Sequence, residues 1–526
     1  MKKNISVIAM TAMASILASA ASAETVRWAR SGDSLTLDPH AQNEGPTHNV
    51  SHQLYDPLVY RNLDLELTPG LATEWGVTDD PNIWEFKIRE GVTFHEGQSL
   101  TADDVAFSLN RARHDNSDMK GLLSSVVDVR AVDDYTVHVE TDGPNPLLPN
   151  NLTNMFIMSR EWAESNDVET PQDYAGGEET HAVRNANGTG AFRLVSREPD
   201  VRTVMERNDD YWGADIYPME VSEIIFTPIQ SQATQVAAIL SGEIDFLMEP
   251  PVQDVERLSQ AEGIKVETGP ENRTIFLGMH QGKDDLEYSD AEGNPFSHRE
   301  VREAMMLAID ADTIQRVVMR GFSDPTGAML PPFVNGWTEE MHERPEVDTE
   351  RARELLAEAG YPDGFDITLH CPNDRYVNDE AICQAVTGML GQIGITVTLD
   401  SRTRSLHFAD LQNGELEFYM LGWGVPPLDS DYVFNFLYHT NTGDRGSWNF
   451  TGFSNERVDE LTVGISQETD LEQRDEMIAE IWEIVNEDIT YLPIHNQVLA
   501  WAMRDDIEFP VQSENTPMFK YMEFTD

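Results

Sequence analysis

Chemistry in a chain of this size needs particular side chains at particular spacings, and few are present. His48 and His52 stand four apart, which on a helix puts two imidazoles on one face, but no third metal ligand accompanies them. There is no Gly-x-Ser-x-Gly nucleophile elbow, no His-Glu-x-x-His zinc motif and no phosphate loop. Carboxylate pairs suited to glycoside hydrolysis abound, yet among 93 acidic residues they carry little information. Cys371 and Cys383 are the two cysteines. In an oxidising compartment they are expected to bond, closing a small loop worth roughly 2–3 kcal/mol; two buried thiols is the other reading. A secreted hydrolase is one class such a chain could belong to, and it lacks its constellations. No enzyme activity, metal or cofactor is expected.

Charge narrows the partners. Against the acids stand 36 Lys and Arg, a formal net charge of −57 over 526 residues. The acids are spread along the chain. Nucleic acid, which needs a basic stripe, and anionic membranes are both disfavoured. Self-repulsion on this scale destabilises a compact state where salt is dilute. A halophilic or marine source is therefore expected, with the acids adapted to solvent more than to ligand.

The first 23 residues read as an export signal. Lys2 and Lys3 precede an apolar run over 5–17, and Ala21-Ser22-Ala23 offers small residues for cleavage. The run is short of the ~20 residues of a comfortable span. No cysteine lies near the cleavage site, so no lipid anchor is expected. The mature chain would begin at Glu24, in the periplasm, with a charge of about −59.

The remaining ~500 residues exceed one core, and two or three domains are expected. Strand and helix patterns mix throughout, an α/β composition. Residues 84–88 alternate apolar and polar. Thr101 and Asp104 have capping-box spacing before a helix to about 113, and so do Ser297 and Glu300 before Val301, Met305 and Ala308. Ser231 is a helix cap, with Gly242 as the stop. A strand at 365–370, a helix at about 378–393 and a strand at 395–399 form a βαβ unit, for which parallel strands are expected. A last long helix covers about 471–486.

The chain resembles the peptide- and nickel-type (family 5) solute-binding proteins of ABC importers. The resemblance rests on Leu67-Thr-Pro-Gly-Leu-Ala-Thr-Glu-Trp75, Trp84-Glu-Phe-Lys-Ile-Arg-Glu-Gly-Val-Thr-Phe-His-Glu-Gly97 and Leu100-Thr-Ala-Asp-Asp-Val-Ala-Phe107. Asn187-Gly-Thr-Gly-Ala-Phe192 and Asn208-Asp-Asp-Tyr-Trp-Gly213 extend it. It implies a periplasmic-binding-protein type II-like fold (cluster C): two lobes, a hinge and an extra subdomain. Lobe I would comprise 24–55, 188–277 and 496–526, the extra subdomain 56–187, and lobe II 278–495. Trp75, Trp84, Phe86 and Phe94 would fill core, and His95 would make a structural hydrogen bond. The implied role is a monomeric periplasmic carrier that encloses a dipeptide or oligopeptide between its lobes and delivers it to the membrane permease. A nickel chelate, haem, an opine or an oligosaccharide are the alternative ligands.

An enclosed peptide needs a cation at its carboxyl end and a carboxylate at its amino end, because an unpaired buried charge is expensive. Arg is the better cation for a carboxylate. The resemblance places Arg375 at the ligand carboxylate, Trp423 at the cleft wall, and Asn43, Glu44 and Thr47 in a contacting loop. Solvated-loop and surface-ion-pair roles are the bland alternatives for that loop and for Arg375. Trp448 and Asn449 would line the cleft or fill core. Peptide binders carry an Asp three residues after the tryptophan, where this chain has Pro426. Either Asp429 or Asp431 takes that role, or the ligand lacks an amino group there.

The charge reading has a direct check. Thermal unfolding followed by circular dichroism between ~0.02 and 2 M NaCl should show the melting temperature rising with salt. A chain equally stable at both ends would refute the salt adaptation.

Overall fold

The computed structural model describes residues 24–525 apart from 64 and 444, so the expected export signal lies outside the described residues. Among the described residues, no helix is long and apolar enough to cross a membrane.

One 11-stranded sheet runs through the molecule. At its centre lie two long antiparallel strands, Ile264–Met279 and Tyr491–Arg504. Their Ile264 and Arg504 ends belong to one half, with Phe246–Met248, Glu24–Arg30, Val221–Pro228, Arg202–Arg207 and Phe192–Glu198. Their Met279 and Tyr491 ends belong to the other, with Phe418–Trp423, Phe365–Pro372 and Ile395–Arg402. Each half is the sheet of one lobe, and the long strands are common to both.

In lobe II the inner strands, Phe418–Trp423 and the 274–279 end of its long neighbour, are buried on both faces, as a sheet flanked by helices requires, while Ile395–Arg402 at the edge is partly exposed. Ile275, Leu277, Phe418 and Met420 enter one core with Ile367 and Val386. Their alternate neighbours Phe276, Tyr419 and Leu421 enter a second core with Phe434 and Trp482. The βαβ unit is present: Phe365–Pro372 and Ile395–Arg402 pair in parallel, joined by the helix Asp379–Gly391. In lobe I, Val26 and Trp28 face one core and Ala29 the other.

The extra subdomain is a four-stranded antiparallel sheet under the helix Ala102–Ala112. Phe86, Phe94, Val105, Leu109 and Val137 form its core. Trp75 and Trp84 are only half-buried at its margin. The 56–187 stretch is not one body. Met155 and Ile157 pack on the subdomain core, while Phe156, Met158, Trp162 and Ala182 pack on that of lobe I.

Local signals mostly behave as expected. Thr101 and Asp104 form a capping box, Ser231 accepts from the Thr234 amide, and Gly242 is left-handed. Ser297 does not cap the Arg299–Ala308 helix. Asn294 caps the preceding turn, Pro295–Ser297, and the Ser297 hydroxyl donates back to the Asn294 carbonyl.

Two buried polar hubs join the subdomain to lobe I. Asp56 accepts from Tyr60 Oη, Tyr211 Oη (3.2 Å), Trp212 Nε1 (2.8 Å) and Thr189 Oγ1 (2.8 Å). Beside it, a Cβ on Gly188 would stand 2.1 Å from the Leu54 carbonyl oxygen, so only glycine fits there. The second hub is a bidentate pair, Arg111 to Asp38 at 2.7 Å through both guanidinium nitrogens, with neither side chain exposed. Arg111 also donates to the Val168 and Thr170 carbonyls. Removing one partner of such a pair leaves a buried charge uncompensated. Asp38→Ala should therefore cost about 3–5 kcal/mol in urea unfolding, and Asp38→Ala/Arg111→Leu should recover part of that. Equal losses in the two variants would contradict the buried-pair account.

Candidate functional site

The site begins with an irregularity in the long strands. Pro270 pairs with Val498 and Thr274 with Asn496, so Glu271, Asn272 and Arg273 bulge out of the ladder. A bulge re-aims side chains and bends its strand. These three residues sit where the two lobes join.

Asn272 holds the junction. Its backbone amide donates to the Ser513 carbonyl at 2.6 Å, tying in the C-terminal segment of lobe I. Its side chain donates to the Val425 carbonyl at 2.7 Å and accepts from the Val425 amide at 3.3 Å, gripping the lobe II loop after Trp423. Glu271 pairs with Arg273 at 3.0 Å and also accepts from Gln497 Nε2. Burial raises the carboxyl pKa of Glu271.

Lobe II brings Arg375 to this place. Asp379 accepts from the Arg375 and Tyr376 amides at 2.9 and 3.0 Å, shaping the loop. The Cys371–Cys383 disulfide, present in the structure, closes the loop from behind. The Tyr376 ring lies against Gly422, where a Cβ would come within 2.7 Å of it, and its hydroxyl donates to the Gly422 carbonyl. The Arg375 guanidinium is 4.9 Å from that ring. Burial, then the charge of Arg273, lowers its pKa. Among the described residues it makes no ion pair.

Trp423 stands 5.5 Å from Trp448, 5.7 Å from Tyr432 and 5.8 Å from Phe436. Its Nε1 is buried without a hydrogen bond. Asn449 instead ties the His439 and Phe453 carbonyls.

From lobe I comes the start of the Gly45–Leu54 helix. Glu44 caps it, accepting from the Thr47 amide and hydroxyl through Oε1. Its Oε2 is buried without a hydrogen bond, 4.0 Å from Arg404 of lobe II. Thr47 accepts from the Leu35 amide, and Asn43, exposed, bonds His48. Glu44 thus faces the Arg375 loop, while Asn43 and Thr47 organise their own turn. His48 and His52 bond separate amides, Asn43 and Asn154, and burial lowers their pKa values to about 4 and about 3. His95 bonds the Gly190 carbonyl at 2.9 Å.

The two acids after Pro426 do not face this space. Asp429 is held by Arg474 at 2.6 and 2.8 Å and caps the following turn. Asp431 accepts from Ser466 Oγ at 2.7 Å, and burial, then Asp429, raises its pKa to about 6. The Pro426 carbonyl instead accepts from Arg61 of the subdomain at 3.3 Å, and Arg61 Nε lies 3.7 Å from Glu514. Glu514 Oε1, Ser513 Oγ and Gln512 Nε2 are all buried without hydrogen bonds. Burial raises the Glu514 pKa. Sequence reasoning missed 271–273 and 512–514. The one available signal was Pro270 followed by Glu-Asn-Arg within an otherwise strand-like run.

Asn272→Ala removes both side-chain bonds to Val425 and leaves its carbonyl buried. A stability loss of about 1–3 kcal/mol in denaturant unfolding is expected, and a neutral result would remove Asn272 from the junction.

Relatives share this architecture. A family model, bacterial extracellular solute-binding proteins, family 5 middle, matches residues 66–445. The dipeptide-binding protein of Escherichia coli is 24% identical, over 97% of this chain and 95% of its own length. The glutathione-binding protein GsiB of Pectobacterium atrosepticum is 23% identical, over 89% and 87%. A Pseudoalteromonas dipeptide-binding protein, solved with Met-Leu, superposes with a TM-score of 0.82 at 21% identity, covering 95% of this chain and all of that one. With a hinge, two lobes and a family match over most of its length, the chain belongs to the family 5 extracellular solute-binding proteins.

Proposed function

We propose that the chain is the exported ligand-capturing component of an ABC importer, enclosing a small peptide between its lobes and passing it to the membrane permease. The observation that carries this reading is the unpaired Arg375 guanidinium between the lobes, on a loop braced by Asp379 and Tyr376. A carboxylate is the natural partner for an enclosed guanidinium. Relatives named for dipeptides and for glutathione support the same ligand class.

The amino end needs an acid, and Pro426 supplies none. Glu514 is the acid that best replaces it. Its buried Oε1 lacks a hydrogen bond, and Arg61 links it to the Pro426 carbonyl. Trp423 and Trp448 offer an apolar wall between the two ends. Gln512, Ser513 and Glu44 add polar atoms without hydrogen bonds, suited to peptide amides.

A thermal-shift screen of short peptides tests the reading. A ligand at 100 times its Kd should stabilise the protein by about 2.7 kcal/mol. Arg375→Ala should weaken binding by about 2–5 kcal/mol. Glu514→Gln should weaken peptides with a free amino end and leave N-acetylated peptides unaffected. Full affinity in Arg375→Ala, or turnover of the peptides, would overturn the assignment.

A further inference from the structure

The extra subdomain meets lobe II directly, beside the cleft. Tyr432, on the lobe II segment after Trp423, packs on the subdomain core as well as on the core of its own lobe. The Phe436 ring lies against the subdomain turn Lys120–Leu123, where a Cβ on Gly121 would stand 3.4 Å from it. A Cβ on Gly143 would stand 3.1 Å from the side-chain amide of Gln467. Arg61 donates to the Pro426 carbonyl at 3.3 Å. Most of these contacts fall on residues 426–436 of lobe II. The subdomain itself is joined to lobe I through Asp56 with Tyr211 and Trp212, and through Arg111 with Asp38. It therefore travels with lobe I, and its contacts with lobe II must part when the lobes open.

The lobe II side of this contact is stiff, and it carries the cleft wall. Val425-Pro426-Pro427-Leu428 is a turn closed by the Leu428 amide on the Val425 carbonyl at 2.9 Å. Each proline fixes its own φ. Leu428 has a φ of +56°, a strained conformation for leucine that persists only where the surroundings hold it. Asn272 grips Val425 at one end, and the Asn335 amide donates to the Leu428 carbonyl at 3.0 Å at the other. Asp429, pinned by Arg474, caps the helix Ser430–Val433, and helical turns continue to Tyr438. On them Tyr432 and Phe436 stand ring to ring at 4.7 Å. Both rings also meet Trp423, at 5.7 and 5.8 Å. One flank of this aromatic group supports Trp423, and another rests on the subdomain.

We propose that the extra subdomain is a positioning element of the binding site: it clasps lobe II in the closed arrangement, seats Tyr432 and Phe436, and through them holds Trp423 against the enclosed ligand, so that ligand release is slowed. The inference rests on the reading of the cleft between the lobes as the capture site. A wall braced from behind by a second body has less freedom to lose when ligand is enclosed. A clasp that forms as the lobes close must be broken before ligand leaves, so it acts on release more than on capture.

Two variants disturb the clasp from the subdomain side. Gly121→Gln adds bulk against Phe436 at an exposed position, away from the subdomain core. Arg61→Gln removes the cation that reaches Pro426, with circular dichroism reporting whether the fold survives. The contact itself is read without any ligand. The two native cysteines are bonded to each other, so Gly143→Cys/Gln467→Cys supplies a single pair of free thiols across it. A short bismaleimide should bridge that pair, and adding Gly121→Gln or Arg61→Gln should slow bridging at least threefold. Failure to bridge, or equal rates in all three chains, would overturn the inference. Stopped-flow kinetics with Ala-Phe then read the consequence: release should be at least tenfold faster in each variant, with capture within twofold of the wild type. Unchanged release, or a loss confined to capture, would overturn this inference and leave the peptide reading standing. Absence of Ala-Phe binding by the wild type would count against the peptide reading alone, because bridging needs no ligand.

Discussion

Two lobes can share a ligand only if something covalent and ordered passes between them, and here that is a pair of antiparallel strands. Ile264–Met279 and Tyr491–Arg504 are hydrogen-bonded to each other through both halves of the sheet. A continuous ladder would fuse the halves into one rigid body. The bulge at 271–273 interrupts it at the junction, and a bulge bends the strand that carries it. The same interruption turns Glu271 and Arg273 away from the ladder, beside Tyr376 and Gln497. The bend and the polar cluster thus fall on the same three residues. Asn272 keeps them in register with the Val425 loop and the 513 segment.

The buried charges divide by the job their partners give them. Arg111 with Asp38, and Arg474 with Asp429, are bidentate, enclosed and supplemented by backbone carbonyls. Pairs of that kind contribute little net stability over apolar replacements, but they penalise every arrangement that separates them. They fix where bodies meet. Three arginines of the junction, Arg61, Arg404 and Arg375, are held differently, by long ion pairs or by a ring face. Loosely satisfied guanidiniums retain capacity for a further acceptor, which separates a binding group from a structural one.

Much of the architecture was legible because its signals are local. The Thr101 capping box, the Ser231 cap and the alternation around 84–88 are decided within a few residues. Ser297 misled because Asn294, three residues upstream, claims the turn first. The site was legible only in part. Arg375, Trp423 and Glu44 follow from resemblance, and the structure brings them near the junction. Asp429 looked free because its partner, Arg474, lies 45 residues on. The bulge depends on a strand more than 220 residues away, and 512–514 have no periodic pattern to read.

The disulfide gives the Arg375 loop a dependence on surroundings. Cys371 ends a strand, Cys383 lies in the next helix, and the 12-residue separation between them contains Arg375, Tyr376 and Asp379. Such a bond persists in oxidising compartments and is reduced in the cytosol. Before oxidation the loop relies on Asp379 and Tyr376 alone. Afterwards both of its ends are stapled, and less conformational freedom is lost when an anion docks. The proposed role of the loop therefore ties the binding of an anion to the oxidised chain.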